Sequence, residues 1–364
     1  MLDLETTGKD PSAIVYEHLI HLPAQPATVS DVRTAGGTRV NQHAYLAHFD
    51  GRFWAMWSDG PGLPRKPPEE HWNVVPGHDR PFTRVSYATS VDGLQWSQVK
   101  DLSGSPRRNG FGWIARGFWV RDGQLLALAS HFNAPGYPGV GLSLEAWRWN
   151  RDYERWEEVE TVLDDAMNNF PPKRLPNRQW MMSRRDHDRG VSVMLGGTRT
   201  HADWEVRPVA EYEESGQKPE EPYWYILADG KNLVGLFRDN AESKRILRAF
   251  STDNGETWSK LVATNFPDER SKFFALRTSR GYYALVSNSR PARRDPLTLA
   301  ISQDGLVYTH LFYLVGGRHI DYPHMIEHDE HLFISFSGAK QTVEVLKVPL
   351  VAIDRLIGYA DTSN

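Results

Sequence analysis

Arginine, histidine and amide side chains stand at recurring places in this chain, at the ends and starts of apolar runs. Runs end on Asp59, His131, Arg184 and Arg185, Arg238 and Asp239, and Asn288. Others are entered through Asn41, Gln42 and His43, through Arg108 and Asn109, and through Asn168 and Asn169. Glu220 and Glu221, Lys272, and His319, Tyr322 and His324 stand at three more entries. A guanidinium presents a planar fork that matches a carboxylate. A neutral imidazole titrates near neutrality and can give or take a proton. A set rich in Arg and His therefore points to an anionic ligand, most simply a sugar acid. The competing reading is local pairing: Arg185 with Asp186, Arg238 with Asp239, Arg294 with Asp295. His43 and His131 are the acid/base candidates, whereas His48, His328 and His331 read as turn or surface residues.

These residues can meet only if a repeat brings them together, and a repeat is present. A turn with Asp, Asn or Gly leads into an apolar strand and then a polar cluster. It reads DGRFWAMWSD from Asp50, DGQLLALASH from Asp122, NRQWMMSRRD from Asn177, DGKNLVGLFRD from Asp229, RGYYALVSNS from Arg280 and DEHLFISFSG from Asp329. The spacings are 72, 55, 52, 51 and 49 residues. The long first interval holds a Pro-rich stretch, 60–81, which reads as an inserted loop. Each unit contains four strand-like runs separated by turn residues, and no sustained 3.6-residue period suggests helix. Four short strands every 50 residues or so is the signature of an all-β propeller with four-stranded antiparallel blades. The direct count is six units, spanning 1–364 as one domain. Residues 1–40 are expected to supply a closing segment, with Ile14–Leu22 as its strand.

A second marker overlies the first. STDNGETW (251–258) fits the pattern S-x-D-x-G-x-T-W of an Asp-box, and SVDGLQW (90–96) and SQDGLVY (302–308) are shortened versions. Each falls between the third and fourth strands of its unit. The Asp is expected to accept backbone N–H bonds, the Gly to take positive φ and the aromatic to pack between sheets. These Asp residues belong to the scaffold, not to catalysis. Because strand 2–3 loops and blade entries lie on one face of a propeller and Asp-box turns on the other, the Arg and His positions should converge on a single funnel.

Composition narrows the partners. Net charge is -4, so nucleic acid is not expected. Cysteine is absent, which excludes a disulfide framework, a thiolate metal site and a cysteine nucleophile. Thirteen Trp contribute to an aromatic content of 12%, as suits stacked sheets or a carbohydrate cleft. No apolar stretch is long enough to span a membrane, and no signal peptide is visible, so the expectation is a cytoplasmic monomer or simple homodimer unless an export signal has been removed.

The Asp-boxes make the chain resemble the sialidase-type propellers. Those carry a Phe/Tyr-Arg-Ile-Pro motif near the N-terminus, and TRVNQ (38–42) stands in its place. The chain is also similar to propeller enzymes that attack rhamnose–uronic acid linkages, the rhamnosyl-glucuronate lyase and α-L-rhamnosidase group and the ulvan lyases. His43 in NQH matches a first-blade His of the rhamnosidase-like members, and His131 resembles a lyase His at the end of the second blade's second strand. The lyases have a Tyr sixteen residues before an Arg, where this chain has Asn168 and Asn169. This resemblance implies seven blades, with six as the alternative from direct counting.

The resulting expectation is an enzyme of acidic-glycan metabolism that cleaves a rhamnose–glucuronic acid type linkage, by β-elimination or by His-assisted hydrolysis. His43, His131 and Arg185 are the catalytic candidates. Asn109, Asn169, Arg184, Arg238, Lys272, Tyr322 and His324 are candidates for substrate binding. A sialidase-like exo-glycosidase and a non-catalytic glycan-binding propeller are the alternatives. Elimination needs a neutralised carboxylate, a base and an acid. Hydrolysis usually needs two carboxyl groups, for which Glu220, Glu221, Asp59 and Asp321 are available. No cofactor is required; His319, Asp321 and His324 form a weak candidate metal cluster, and a structural Ca²⁺ in the axial channel is a further option.

Overall fold

A computed structural model describes residues 1–4, 11–33, 39–63, 79–136, 139–211, 216–241 and 243–358. Six four-stranded antiparallel sheets form in order along the chain. Strand β1 (Gln25–Asp31) is set aside for the last of them. Blade one is β2 (Arg39–Phe49), β3 (Arg52–Pro61), β4 (Arg84–Ser90) and β5 (Lys100–Asp101). Blade two is β6 (Phe111–Arg121), β7 (Gln124–Asn133), β8 (Ser143–Asn150) and β9 (Arg155–Asp164). Blade three is β10 (Lys173–Arg174), β11 (Trp180–Arg185), β12 (Val191–Gly196) and β13 (Trp204–Ala210). Blade four is β14 (Pro219–Ile226), β15 (Leu233–Asp239), β16 (Arg245–Ser251) and β17 (Val262–Pro267). Blade five is β18 (Phe274–Arg277), β19 (Tyr283–Ser287), β20 (Leu297–Ser302) and β21 (His310–Val315). Blade six is β22 (Ile320–His328), β23 (His331–Gly338), β24 (Thr342–Pro349) and the returning β1. One helix, α1 (Leu350–Ile357), follows. No helix among the described residues is long and apolar enough to cross a membrane.

The seven blades implied by the resemblance are thus corrected to six, the number of repeats counted directly. All the repeat strings fall on second strands, β3, β7, β11, β15, β19 and β23. The ends of the chain do not add a blade. They share one, because β1 pairs with β24 from Gln25↔Lys347 to Asp31↔Thr342.

The closing strand also differs from the expected Ile14–Leu22. That stretch holds a short 3₁₀ turn, Tyr16–His18, and then lies along the outer edge of blade five, where Tyr313 N donates to Ile20 O and Leu22 N to Tyr313 O. Its apolar residues go to that edge, with Tyr16 and Leu22 buried. The strand that does close the ring, QPATVSD, is the outermost of its sheet and mostly solvated, so it carries little apolar signal. The inserted loop expected at 60–81 lies between β3 and β4, and its residues 64–78 fall outside the described residues.

Hydrophobic clusters fill the gaps between neighbouring blades. Ala44, Leu46, Phe53 and Trp57 of blade one meet Phe333, Val343 and Val345 of blade six and seal the ring. The Asp-boxes behave as expected. Leu94 and Gln95 donate to Asp92 at 2.9 and 2.8 Å, Thr257 to Asp253 at 2.9 Å, and Leu306 and Val307 to Asp304 at 2.7 and 2.9 Å. Their glycines take φ of 74°, 89° and 76°. A Cβ on Gly93 would lie 2.3 Å from Phe333, and one on Gly255 2.6 Å from Met181. The glycine therefore lets each of these turns press against the preceding blade.

Candidate functional site

The inner strands share one irregularity. Pairing with the second strand breaks between Gln42 and Tyr45, between Ala115 and Gly117, between Glu220 and Tyr223, and between Asp321 and His324. A bulge adds a residue and re-aims its side chain. His43, Glu221 and Tyr322 take left-handed φ of 56°, 47° and 55° there, and Gly117 takes 103° beside Arg116. Asn169 and Lys272 occupy the corresponding places just before β10 and β18. Each blade thereby sends one side chain to a ring around the axis: His43, Arg116, Asn169, Glu221, Lys272 and Tyr322, all buried.

Contacts tie the ring together. The rings of His43 and Tyr322 stack at 4.5 Å. Lys272 Nζ donates to Tyr45 Oη at 2.6 Å and to the Asn169 carbonyl at 3.3 Å, and Tyr45 Oη donates to that carbonyl at 2.8 Å. Lys272 Nζ also lies 4.2 Å from the centre of the Tyr45 ring. Both ends of the Asn169 side-chain amide are buried with no hydrogen-bond partner among the described residues, and the same holds for Asn288. Buried amides in that state are rare in a finished interior and mark a place where ligand or water completes the set.

Above the ring sit three arginines from consecutive blades. Arg185 Nη2 donates to Glu220 at 3.1 Å, Arg238 Nη1 donates to Glu221 at 2.9 Å, and Arg294 pairs with Asp321 and donates to the Arg270 carbonyl at 2.6 Å. The local pairs expected from sequence are corrected: the partners come from the neighbouring strand or the next blade, and Arg238 and Asp239 are kept apart because successive residues of β15 face opposite ways. Arg184 shows this directly. It turns away from Arg185 to Asp165 and Asp186, and so leaves the set.

Electrostatics follow from burial and these pairs. Burial alone would raise the Glu221 carboxyl, but Arg238, Lys272 and Arg185 outweigh it and hold it below the ordinary range. Asp321 is held far below its ordinary range, despite burial, by His319, Arg294 and Lys340. Asp268 is pushed up to about 7 by burial, with Arg238 and Arg294 opposing. Burial pushes the Lys272 amine down to about 7, with Glu221 opposing.

The remaining predicted residues scatter. Asn109 is exposed on the β5–β6 connection, and blade two contributes Arg116 instead. His131 lies against Phe111 and Trp113 of its own blade, at 4.6 and 4.5 Å between ring centres, rather than against His43. Burial and then Arg107 push its imidazole down to about 4. His324 is a core histidine: its Nδ1 accepts from Leu46 N at 3.2 Å, between Tyr45 and Phe274. That turns it away from the pair His319–Asp321, which closes at 2.8 Å without it, so the three do not converge on a metal. Asp59 is taken by Arg39 at 2.5 Å.

Sequence reasoning missed Arg116, Arg294 and Tyr45. Arg116 could have been found by aligning the blade entries, since it stands where His43 and Glu221 stand. Arg294 hid behind its neighbour Asp295. Tyr45 gave no signal, because an apolar inner strand is expected to carry an aromatic.

Six four-stranded blades, Asp-box turns on one face and a polar ring opposite define a sialidase-like propeller. The family model described as BNR repeat-like domain matches residues 71–334, and the chain belongs to that family. No curated protein matches it in sequence. Among solved structures, a protein of unknown function from Dyadobacter fermentans is similar with a TM-score of 0.71 at 13% identity, covering 89% of this chain and 98% of that one. The NanB sialidase from Streptococcus pneumoniae is similar at 0.70 and 10%, covering 89% and 70%. A leech intramolecular trans-sialidase is similar at 0.66 and 11%, covering 93% and 72%. At these identities the likeness is one of fold. None of these three is described as a rhamnose–uronate enzyme.

Proposed function

We propose that this protein is a carbohydrate-active enzyme that takes the anionic end of an acidic glycan into the funnel and cleaves the adjoining glycosidic bond. One observation supports this most: Arg185, Arg238 and Arg294 crowd onto the entrance of the ring that holds Tyr322 and Glu221. Each guanidinium has five N–H donors. Nε of Arg185 and of Arg238 has no hydrogen-bond partner among the described residues, so donors remain for a ligand carboxylate.

Hydrolysis with a covalent intermediate fits the groups present. Tyr322 Oη attacks the anomeric carbon while ionised Glu221 receives its proton. The glycosidic C–O bond breaks and the departing oxygen takes a proton from His43. Water then releases the sugar, and the protons return. Arg185, Arg238 and Arg294 grip the carboxylate. The fold neighbours named above include a sialidase and a trans-sialidase, which agrees with an acidic sugar but does not identify it. Rhamnose–glucuronate linkages remain substrates to test, with His43 as the base if the bond breaks by elimination.

The experiment is incubation with sialosides, rhamnose-capped uronate oligosaccharides and neutral glycans, followed by mass analysis and ultraviolet absorbance. Release of an acidic sugar without new absorbance means hydrolysis. Release of rhamnose with unsaturated-uronate absorbance means elimination. Neither release from nor saturable binding of any carboxylate-bearing glycan overturns the proposal.

A further inference from the structure

A second site lies on the opposite face, among the turns that carry no part of the funnel. A pocket of about 320 Å³ opens there between blades one and two. Its wall comes from Phe49 at the end of β2, from the β6–β7 turn with Gln124, and from the β8–β9 hairpin with Arg148, Trp149 and Arg151. The volume is at the small end of ligand sites and suits one or two sugar rings.

The pocket is built before any ligand arrives. Asn150 Oδ1 accepts from Asp152 N at 3.0 Å and Tyr153 N at 3.2 Å, which fixes the hairpin. Arg151 reaches across to Asp50 at 3.4 Å and lies 5.0 Å over the Phe49 ring. Behind the wall, Trp149 meets Trp54 at 4.8 Å and Trp156 at 5.5 Å between ring centres, and it is itself only partly buried. An aromatic backed by other aromatics is a rigid apolar surface.

The polar groups decide what that surface takes. Arg151 has Asp50, Asp152 lines the pocket beside them, and Arg148 reaches Glu157 only at 3.9 Å because Arg155 holds that carboxylate at 2.9 Å, so the pocket carries charges of both signs rather than one. Gln124 is exposed at the rim and offers both amide donors and an acceptor. An aromatic plate for C–H faces, with an amide and a guanidinium edge for hydroxyl groups, matches a neutral pyranose. We propose that this pocket is an accessory binding site for neutral sugar units of a glycan, with Trp149 as the platform and Gln124 and Arg148 as hydroxyl partners. It is independent of the funnel. Together the two faces would let the protein hold a branched or long glycan with gained avidity.

The test is calorimetric titration of the intact protein with lactose, cellobiose, galactobiose and maltotriose, repeated on variants. Saturable binding of at least one sugar is expected. Gln124→Ala and Arg148→Ala should each weaken it by about fivefold, as for loss of one hydrogen bond of about 1 kcal/mol, and Trp149→Ala should abolish it. Tyr322→Phe, which alters only the funnel, should leave it unchanged, whereas acidic-glycan binding should be indifferent to Gln124→Ala. No saturable heat with any of the four sugars overturns the proposal. So does an unchanged affinity in both Gln124→Ala and Arg148→Ala, whose side chains are exposed on strand ends β7 and β8 and report even where Trp149→Ala fails to fold.

Discussion

The imidazole of His43 lies flat on the ring of Tyr322, with centres 4.5 Å apart and planes 11° from parallel. His43 belongs to the first inner strand and Tyr322 to the last, so the stack crosses the joint where the ring of blades closes. Both residues hold left-handed backbone at matching bulges. Such conformations cost about 1–3 kcal/mol each in a non-glycine residue and persist where the surroundings over-determine them. Here the surroundings are Lys272, Arg294 and Lys340, whose cationic groups lie 5.8, 5.5 and 5.9 Å from the Tyr322 ring centre. Closure of the fold and presentation of the hydroxyl are one arrangement.

Tyr322→Phe should therefore keep the stack and the fold while removing the reacting oxygen. Turnover of the acidic glycan is expected to fall by at least about 100-fold in kcat, with KM changed little. Circular dichroism and thermal melting should match wild type. Steady-state kinetics on the purified variant check it.

Arg238→Ala leaves Glu221 buried without its nearest cation. Breaking a buried pair from one side costs about 3–5 kcal/mol, and urea unfolding should show a loss of that size. Replacing both residues together, Arg238→Met with Glu221→Met, should recover much of the stability and none of the ligand binding.

Lys272 links stability to pH. Unfolded, its amine holds a proton up to the ordinary lysine value of 10.5, whereas in the folded chain burial lowers it to about 7. Between those values the unfolded chain binds more protons, so this residue makes stability rise with pH across that window. Wild type is expected to gain stability from about pH 7 to about pH 10, and Lys272→Met should lose part of that slope. Urea midpoints at several pH values measure it.

The Asp-box face is scaffold for the funnel. Gly255→Ala places a methyl 2.6 Å from Met181 Sδ at φ of 89° and should cost about 1–3 kcal/mol. Asp253→Ala removes the acceptor of Thr257 N and Ser251 Oγ and should cost about 1–2 kcal/mol. Affinity for an acidic ligand should stay within about twofold of wild type in each, as expected for sites far apart.

The blade architecture follows from the residue pattern alone. Turn, apolar strand and polar end recur at a nearly constant interval, and one such interval can bury its sheet only by stacking on the next. The pattern also separated the faces, because the Asp-boxes fall at a fixed place in each unit. The blade number was legible in the six repeats, and the resemblance pulled it wrongly to seven. Which cations belong to the ring depends instead on how the strands pack in three dimensions. Arg184 and Arg185 are adjacent in sequence, yet a strand sends one to Asp165 and the other to Glu220. Arg116 sits in the middle of a run that reads as plain strand, and a bulge turns it to the axis. His131 and His324 carry the right chemistry, but packing against Trp113 and Leu46 commits them elsewhere. The closing strand QPATVSD was silent for the same kind of reason: an outermost strand is held by backbone pairing with β24, which almost any residues can supply and which tolerates even Pro26 at the sheet edge, so its partner is known only once the ring is closed.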